Sequence, residues 1–221
     1  MKTVPLTTRL QFQAMFMIPF IIAAIIIAAF FGCQQKPKEP VAAKPQVTID
    51  NLQIAYSKAA SYKHMYELFA TRAEKDRLKN IASLFRAVAQ SEGVHAKEQA
   101  ELLKAQGVDL KENQPDSVAV GSTIQTMKMA LSSEDIEVGS MYPNLIRTAD
   151  AEHFKEAKEM FEHLRDADAR QKDLLEVASN GLAQYPKADY LLCPKCGYIF
   201  NDAKMDDCPI CGVKKQSFVK V

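Results

Sequence analysis

Two groups of residues in this chain have the types and spacing of metal ligands. Near the C-terminus, Cys193-Pro-Lys-Cys196 and Cys208-Pro-Ile-Cys211 form two knuckles with eleven residues between them. Four thiolates at this spacing converge on one tetrahedral metal, and zinc and iron both accept such a set. Two disulfides are the competing reading, but a bond closed across two residues is geometrically strained. A glycine follows each knuckle, Gly197 and Gly212, where a tight turn lets backbone N–H groups approach the sulfurs. The second group starts from Glu92-Gly-Val-His95, a carboxylate and an imidazole on one helical face. Apolar residues at 81, 84, 85 and 88 resume at 102 and 103, and the same stripe passes through 92, 95 and 99. Glu92 and His95 therefore point inward, where an unpaired charge costs several kcal/mol unless it is neutralised.

Helices must position these groups. Asp50 is the expected N-cap of a first helix, with Gln53 three residues on. That helix buries Leu52, Ala55, Tyr56, Ala59, Tyr66, Phe69 and Ala70. The second runs to about Gln106, where Gly107 closes it, and a loop carrying Pro115 follows. In the third, Ile124, Met127, Leu131, Glu134, Val138, Met141 and Leu145 form the inward series, with Glu137 at its edge. Pro143 kinks or restarts it. The fourth follows through Ala149, Ala157, Met160, Leu164, Asp168, Gln171, Leu175 and Ala178, and stops at Asn180-Gly181. The expected fold is mainly α, a four-helix bundle over residues 49–184. A small β domain over residues 187–221 follows, with strands near 190–192 and 198–200 around the cysteines. Singly, each inward polar residue reads as a solvated or hydrogen-bonded side chain. Together, Glu92, Glu134, Glu137 and Asp168 carry −4 when ionised. They require protons, water or cations, and two divalent metals would balance them.

The chain has 221 residues, one ordinary domain plus a small appendage. With 28 basic against 27 acidic residues and no basic helix, it offers nucleic acid nothing. Lys2 and Arg9 precede an uncharged run from Ala14 to Phe31 that ends at Gly32-Cys33, the layout of an export signal. That boundary resembles a bacterial lipobox. The resemblance implies a signal peptide over residues 1–32, cleavage before Cys33, and lipid on its sulfur and amino group. An uncleaved membrane anchor is the alternative. Residues 33–48 read as a Pro/Lys-rich tether, placing the body outside the cytoplasm beside a membrane, inner or outer.

Asn51-Leu-Gln-Ile-Ala, Ile81-Ala-Ser-Leu-Phe-Arg-Ala, Glu92-Gly-Val-His95-Ala-Lys and Met141-Tyr-Pro resemble the ferritin-like domain of rubrerythrins. Cys-x-x-Cys-Gly-Tyr followed by Cys-Pro-x-Cys resembles their C-terminal rubredoxin-like domain, so the likeness spans about residues 49–221. It implies a ferritin-like bundle in which Glu92, His95, Glu134 and Glu137 fall on diiron ligands, with Tyr66 and Tyr142 lining the site. Asp168 stands for a Glu, Gln171 for a second His and Ala59 for the first helix's Glu, so a single metal or an altered pair is also open. His64 and His163 are nearby candidates to compensate. The resemblance further implies iron at Cys193, Cys196, Cys208 and Cys211, reduction of hydrogen peroxide, and electrons entering across a head-to-tail homodimer from an unidentified donor. Glu137 and His95 would be the mobile or terminal ligands. Two readings compete: a lipid-anchored electron-transfer or metal-binding protein without a working bundle site, and a structural protein with zinc in the knuckles.

Overall fold

The computed structural model describes residues 44–110, 118–201 and 205–221. The expected signal peptide, Cys33, nearly all of the tether and Pro115 lie outside them. Helices α1 (Gln46–Lys75) and α2 (Lys79–Ala105) make a hairpin joined by three residues, with Arg77 in the left-handed region at φ 62°. The α1 helix begins before Asp50, because an anion elsewhere supplies the cap. The Glu152 carboxylate accepts the N–H groups of Val47 at 3.2 Å and Thr48 at 2.7 Å, where a helix N-terminus favours negative charge. Asp50 is exposed and accepts from the Gln46 amide instead. Gly107 ends α2 as expected: at φ 75° it lets Val108 N–H reach the Leu103 carbonyl at 3.1 Å.

Helix α3 (Thr123–Ile136) starts in a capping box that the sequence reading passed over, Ser122 and Gln125 each bonding the other's backbone. It continues through a π-helical turn, Glu137–Met141, into α4 (Tyr142–Ala151). Pro143 lacks an N–H, so the ladder breaks here, and the wider turn stands where the break falls. Ile124, expected to face inward, is 59% exposed. Ala149 closes α4 rather than opening the last helix, because His153, at φ 56°, turns the chain before α5 (Lys155–Ser179). Asn180 caps α5 where the sequence predicted its stop.

The apolar interior falls into two clusters. One holds Tyr66, Phe69, Phe85 and Leu175; the other holds Leu52, Leu103, Tyr142 and Phe161. Between them α2, α3, the π turn and α5 carry the buried polar residues Glu92, His95, Glu134, Glu137, Asp168 and Gln171. The site therefore sits at mid-height in the bundle, with burial of about 1.5–3 kcal/mol per large side chain on either side.

The C-terminal segment forms a three-stranded antiparallel sheet in the order β2-β1-β3, one strand more than expected. Its strands are β1 (Leu191–Leu192), β2 (Ile199–Phe200) and β3 (Val219–Lys220). Leu191 pairs with Phe200 and Lys220, and Leu192 with Ile199 and Val219. Tyr190, Leu192 and Ile199 pack into the first bundle cluster, so the sheet is seated on the helices of its own chain. Asn80 donates to the Tyr185 carbonyl at 2.8 Å, and Arg170 reaches the Ile199 carbonyl and Asn201.

Candidate metal centres

Glu92 and His95 come from α2, Glu134 from α3, Glu137 from the π turn, and Asp168 and Gln171 from α5; all are buried. Glu137, expected at the edge of its seam, is fully inside. Ligand atoms of Glu92, His95 and Asp168 lie within 4.8 Å of one another, as do those of Glu92, Glu134 and Glu137. Glu92 belongs to both groups, the position of a bridging carboxylate. His64 and His163 join neither group, and His163 lines a surface groove instead.

The imidazole of His95 provides the test of fit. Its Nε2 lies 3.2 Å from the Cys196 carbonyl oxygen, an acceptor, so Nε2 carries the hydrogen and Nδ1 the lone pair. Nδ1 then faces Glu92 Oε1 at 3.5 Å and Asp168 Oδ1 at 3.3 Å, acceptor against acceptor. Nδ1, Glu134 Oε2, Glu137 Oε2 and Asp168 Oδ2 all lack a hydrogen-bond partner among the described residues. A cation between them removes the conflict, as a proton shared between the imidazole and the carboxyls does in its absence. In its absence burial pushes the carboxyls of Glu134, Glu137 and Asp168 well above the ordinary range, and the charge of Glu92 pushes them further. Oxygen donors with one imidazole suit iron, manganese or zinc. The residues fit a metal.

Tyr66 donates to Glu134 Oε1 at 2.5 Å, and its phenol is raised by burial and by that carboxylate. The Tyr142 phenol is raised by burial and then by Asp168, which places it at the site's other flank. Both tyrosines therefore stay protonated. Of the three departures from the implied ligand set, Asp168 still joins a donor group, and the other two are also visible. Ala59 is buried and offers no donor. The Gln171 amide donates to Asp168 Oδ1 at 2.6 Å, Ser91 Oγ at 3.2 Å and Glu92 Oε1 at 3.3 Å, while its Oε1 has no partner among the described residues.

At the C-terminus the four sulfurs lie within 4.8 Å of one another, and the four cysteines are free. The disulfide alternative fails on geometry. The short contacts are Cys193 to Cys211 and Cys196 to Cys208, each 3.4 Å, between knuckles and far longer than a bond of about 2.05 Å. The knuckles repeat one pattern. Gly197 N–H bonds the Cys193 carbonyl and Gly212 N–H the Cys208 carbonyl, each at 3.0 Å. The sulfur contacts hold the Cys208 thiol far below the usual range and push the Cys196 thiol far above it, as expected of sulfurs crowded together with no metal between them.

Sequence reasoning missed what joins the two clusters. Ser91 Oγ donates to the Gly197 carbonyl at 2.6 Å, beside the His95–Cys196 contact. A Cβ on Gly197 would stand 2.5 Å from His95 Nε2 and 2.6 Å from Ser91 Oγ. Ser91 adjoins Glu92 on a buried stripe, but nothing local foretells a partner 106 residues away.

A helical bundle with a shared-carboxylate cluster, touching a four-thiolate knuckle pair, defines a class of two-centre metal proteins. The comparisons agree. The rubrerythrin family model matches residues 50–176. Rubrerythrin-2 of Clostridium acetobutylicum is 34% identical over 182 residues, 79% of this chain and 97% of that protein. Nigerythrin of Nitratidesulfovibrio vulgaris is 26% identical over 171 residues, 77% of this chain and 85% of its own. A solved structure of nigerythrin in its fully reduced, all-ferrous state matches with a TM-score of 0.74 at 26% identity, covering 85% of this chain and 91% of that one. This chain belongs to the rubrerythrin family. Its carboxylate–histidine and four-cysteine clusters both fit iron sites.

Proposed function

We propose that this chain is a rubrerythrin-type peroxide reductase, holding iron at both clusters and passing electrons from the cysteine centre to the bundle. The observation that carries the reading is the 3.2 Å contact from His95 Nε2 to the Cys196 carbonyl, which links a ligand of one centre to a ligand of the other. Bound iron supplies one-electron redox chemistry at each centre. The overall reaction is H2O2 + 2 H+ + 2 e− → 2 H2O, with electrons from a one-electron carrier. Glu92, His95 and Asp168 would hold metal on one side of the layer, and Glu92, Glu134 and Glu137 on the other. Tyr66 keeps Glu134 oriented through its hydroxyl hydrogen bond. Tyr142 and the two apolar clusters exclude bulk water from the layer between them. The resemblance implied electron entry across a head-to-tail homodimer, and we retain a homodimer as part of the proposal. Exchange of residues 187–221 between two chains would preserve the same junction, which here closes within one.

A second reading, a relay or metal-binding protein without bundle chemistry, is favoured by Gln171, whose amide stands where the resemblance expects a histidine ligand. One experiment separates the two. Anaerobically purified protein is assayed for iron per chain, visible spectrum and peroxide consumption, as wild type and as Ala59→Glu with Gln171→His. A ferric-thiolate colour with peroxide turnover, rising in the double variant, supports the reductase. Colour without turnover in either protein supports the relay, and zinc alone leaves no redox function, neither reductase nor relay. We further propose, from the lipobox resemblance, that Cys33 is lipidated and tethers the protein outside the cytoplasm. The mass of the mature N-terminal peptide checks this, and an unmodified Cys33 sinks it.

A further inference from the structure

Lys58 lies on α1 immediately before Ala59, the position where the resemblance expects a carboxylate. Its Nζ is 3.9 Å from Glu137 Oε1 and 3.5 Å from Met141 Sδ, and it lies 5.0 Å from the centre of the Tyr62 ring. The side chain is three-quarters covered, at 25% exposure, so the ammonium is penned beside the site rather than free in solvent. With a glutamate at 59 and no lysine, five carboxylates would share the layer, a charge of −5. Here Glu92, Glu134, Glu137 and Asp168, ionised around a metal, would share it with one ammonium, for a net charge of −3.

The charge is not evenly placed. Of the two donor groups sharing Glu92, the ammonium stands against Glu137, a member of one alone. A divalent ion held by Glu92, Glu134 and Glu137 would face a like charge in a low-dielectric layer, where repulsion is strong. The group of Glu92, His95 and Asp168 meets a neutral intruder instead, the Gln171 amide. Its Oε1 has no partner among the described residues, and a turn about the terminal torsion, which is broad and roughly two-fold, would present that oxygen to a metal.

We propose that Lys58 is the resident cation at the Glu137 end of the bundle site. The bundle then binds one divalent metal tightly, through Glu92, His95 and Asp168, and a second weakly. Lys58 sets that asymmetry by occupying Glu137 and repelling the second ion. The inference rests on the metal-site reading above and deepens it.

The test is metal content of the full chain after anaerobic loading with ferrous iron and removal of free metal, for wild type, Lys58→Met and the charge-conserving Lys58→Arg. Wild type and Lys58→Arg should retain two irons per chain, one at the cysteines and one in the bundle. Lys58→Met should retain three, its second bundle ion held roughly tenfold or more tighter than in wild type. Three irons in wild type, or two in wild type and Lys58→Met alike, overturns the role of Lys58 and leaves the reductase reading standing. One iron in every variant overturns both, because the bundle then takes no metal.

Discussion

Among single residues, Gly197 sets the separation of the two centres. It and Gly212 hold equivalent places in the two knuckles, at φ 77° and 70°. An added Cβ costs both about 1–2 kcal/mol of left-handed strain. Their surroundings differ. The Cβ of residue 212 would meet nothing within 4 Å, whereas that of residue 197 would collide with His95 Nε2 and Ser91 Oγ. Gly212→Ala should lower the unfolding midpoint modestly and leave electron transfer intact. Gly197→Ala should keep the four-cysteine colour while slowing reoxidation of the reduced cysteine iron by peroxide roughly tenfold or more, since His95 must move by about an ångström. Equal behaviour of the two variants would show that this contact is not the junction. The sequence disclosed the need for a turn at both glycines, because that need is local. It could not disclose which one meets His95, because the contact spans 101 residues. The same holds at Lys58, whose role comes from the helix beside it rather than from its own neighbours.

At the scale of elements, legibility followed periodicity. The stripe of α2 carried Glu92 and His95 to their observed places because an uninterrupted α-helix repeats faithfully. The α3 reading erred where the repeat changes. Glu137–Met141 widens into a π turn that the apolar pattern of Met127, Leu131, Glu134 and Val138 does not announce, and Glu137 ends fully buried rather than at an edge. Tertiary charge decided the ends of elements, as at Glu152 over the start of α1. A second such staple joins the end of α1 to the start of α3. Asp76 accepts Thr123 N–H at 3.0 Å and its hydroxyl at 2.7 Å, and pairs with Arg72 at 3.0 Å. The Arg72 hydrogen bond, then those from Thr123, hold the Asp76 carboxyl down to about 2, from 3.8. A depressed carboxyl stabilises the fold above its unfolded value and loses that contribution as pH falls towards its folded value. Asp76→Asn should therefore be less stable than wild type at neutral pH, with the difference closing between about pH 4 and pH 2. Unfolding midpoints across that range test it, and a gap that stays constant would assign the effect to packing.

For the whole molecule, the polar layer between two apolar clusters makes folding and metal binding one problem. Glu134, Glu137 and Asp168 have their carboxyls raised by burial, so over the interval above the unfolded value the folded, metal-free chain holds more protons than the unfolded one. Stability of the chelated protein then falls as pH rises from about 4 and levels off once these groups ionise in the fold. Metal reverses the slope, because ligands bind it as carboxylates and binding releases the protons that burial retained. Depressed carboxyls such as Asp76 act in the opposite direction at the acid end, so the informative quantity is the difference between loaded and chelated protein at each pH. That difference should widen from about pH 5 to about pH 8, read as unfolding midpoints with ferrous iron or zinc against chelator under argon. A gap of constant size would mean that the acids are already ionised in the empty fold. A chelated protein that gains stability with rising pH would mean that the carboxylates have found water, and that the layer joining the clusters is not dry.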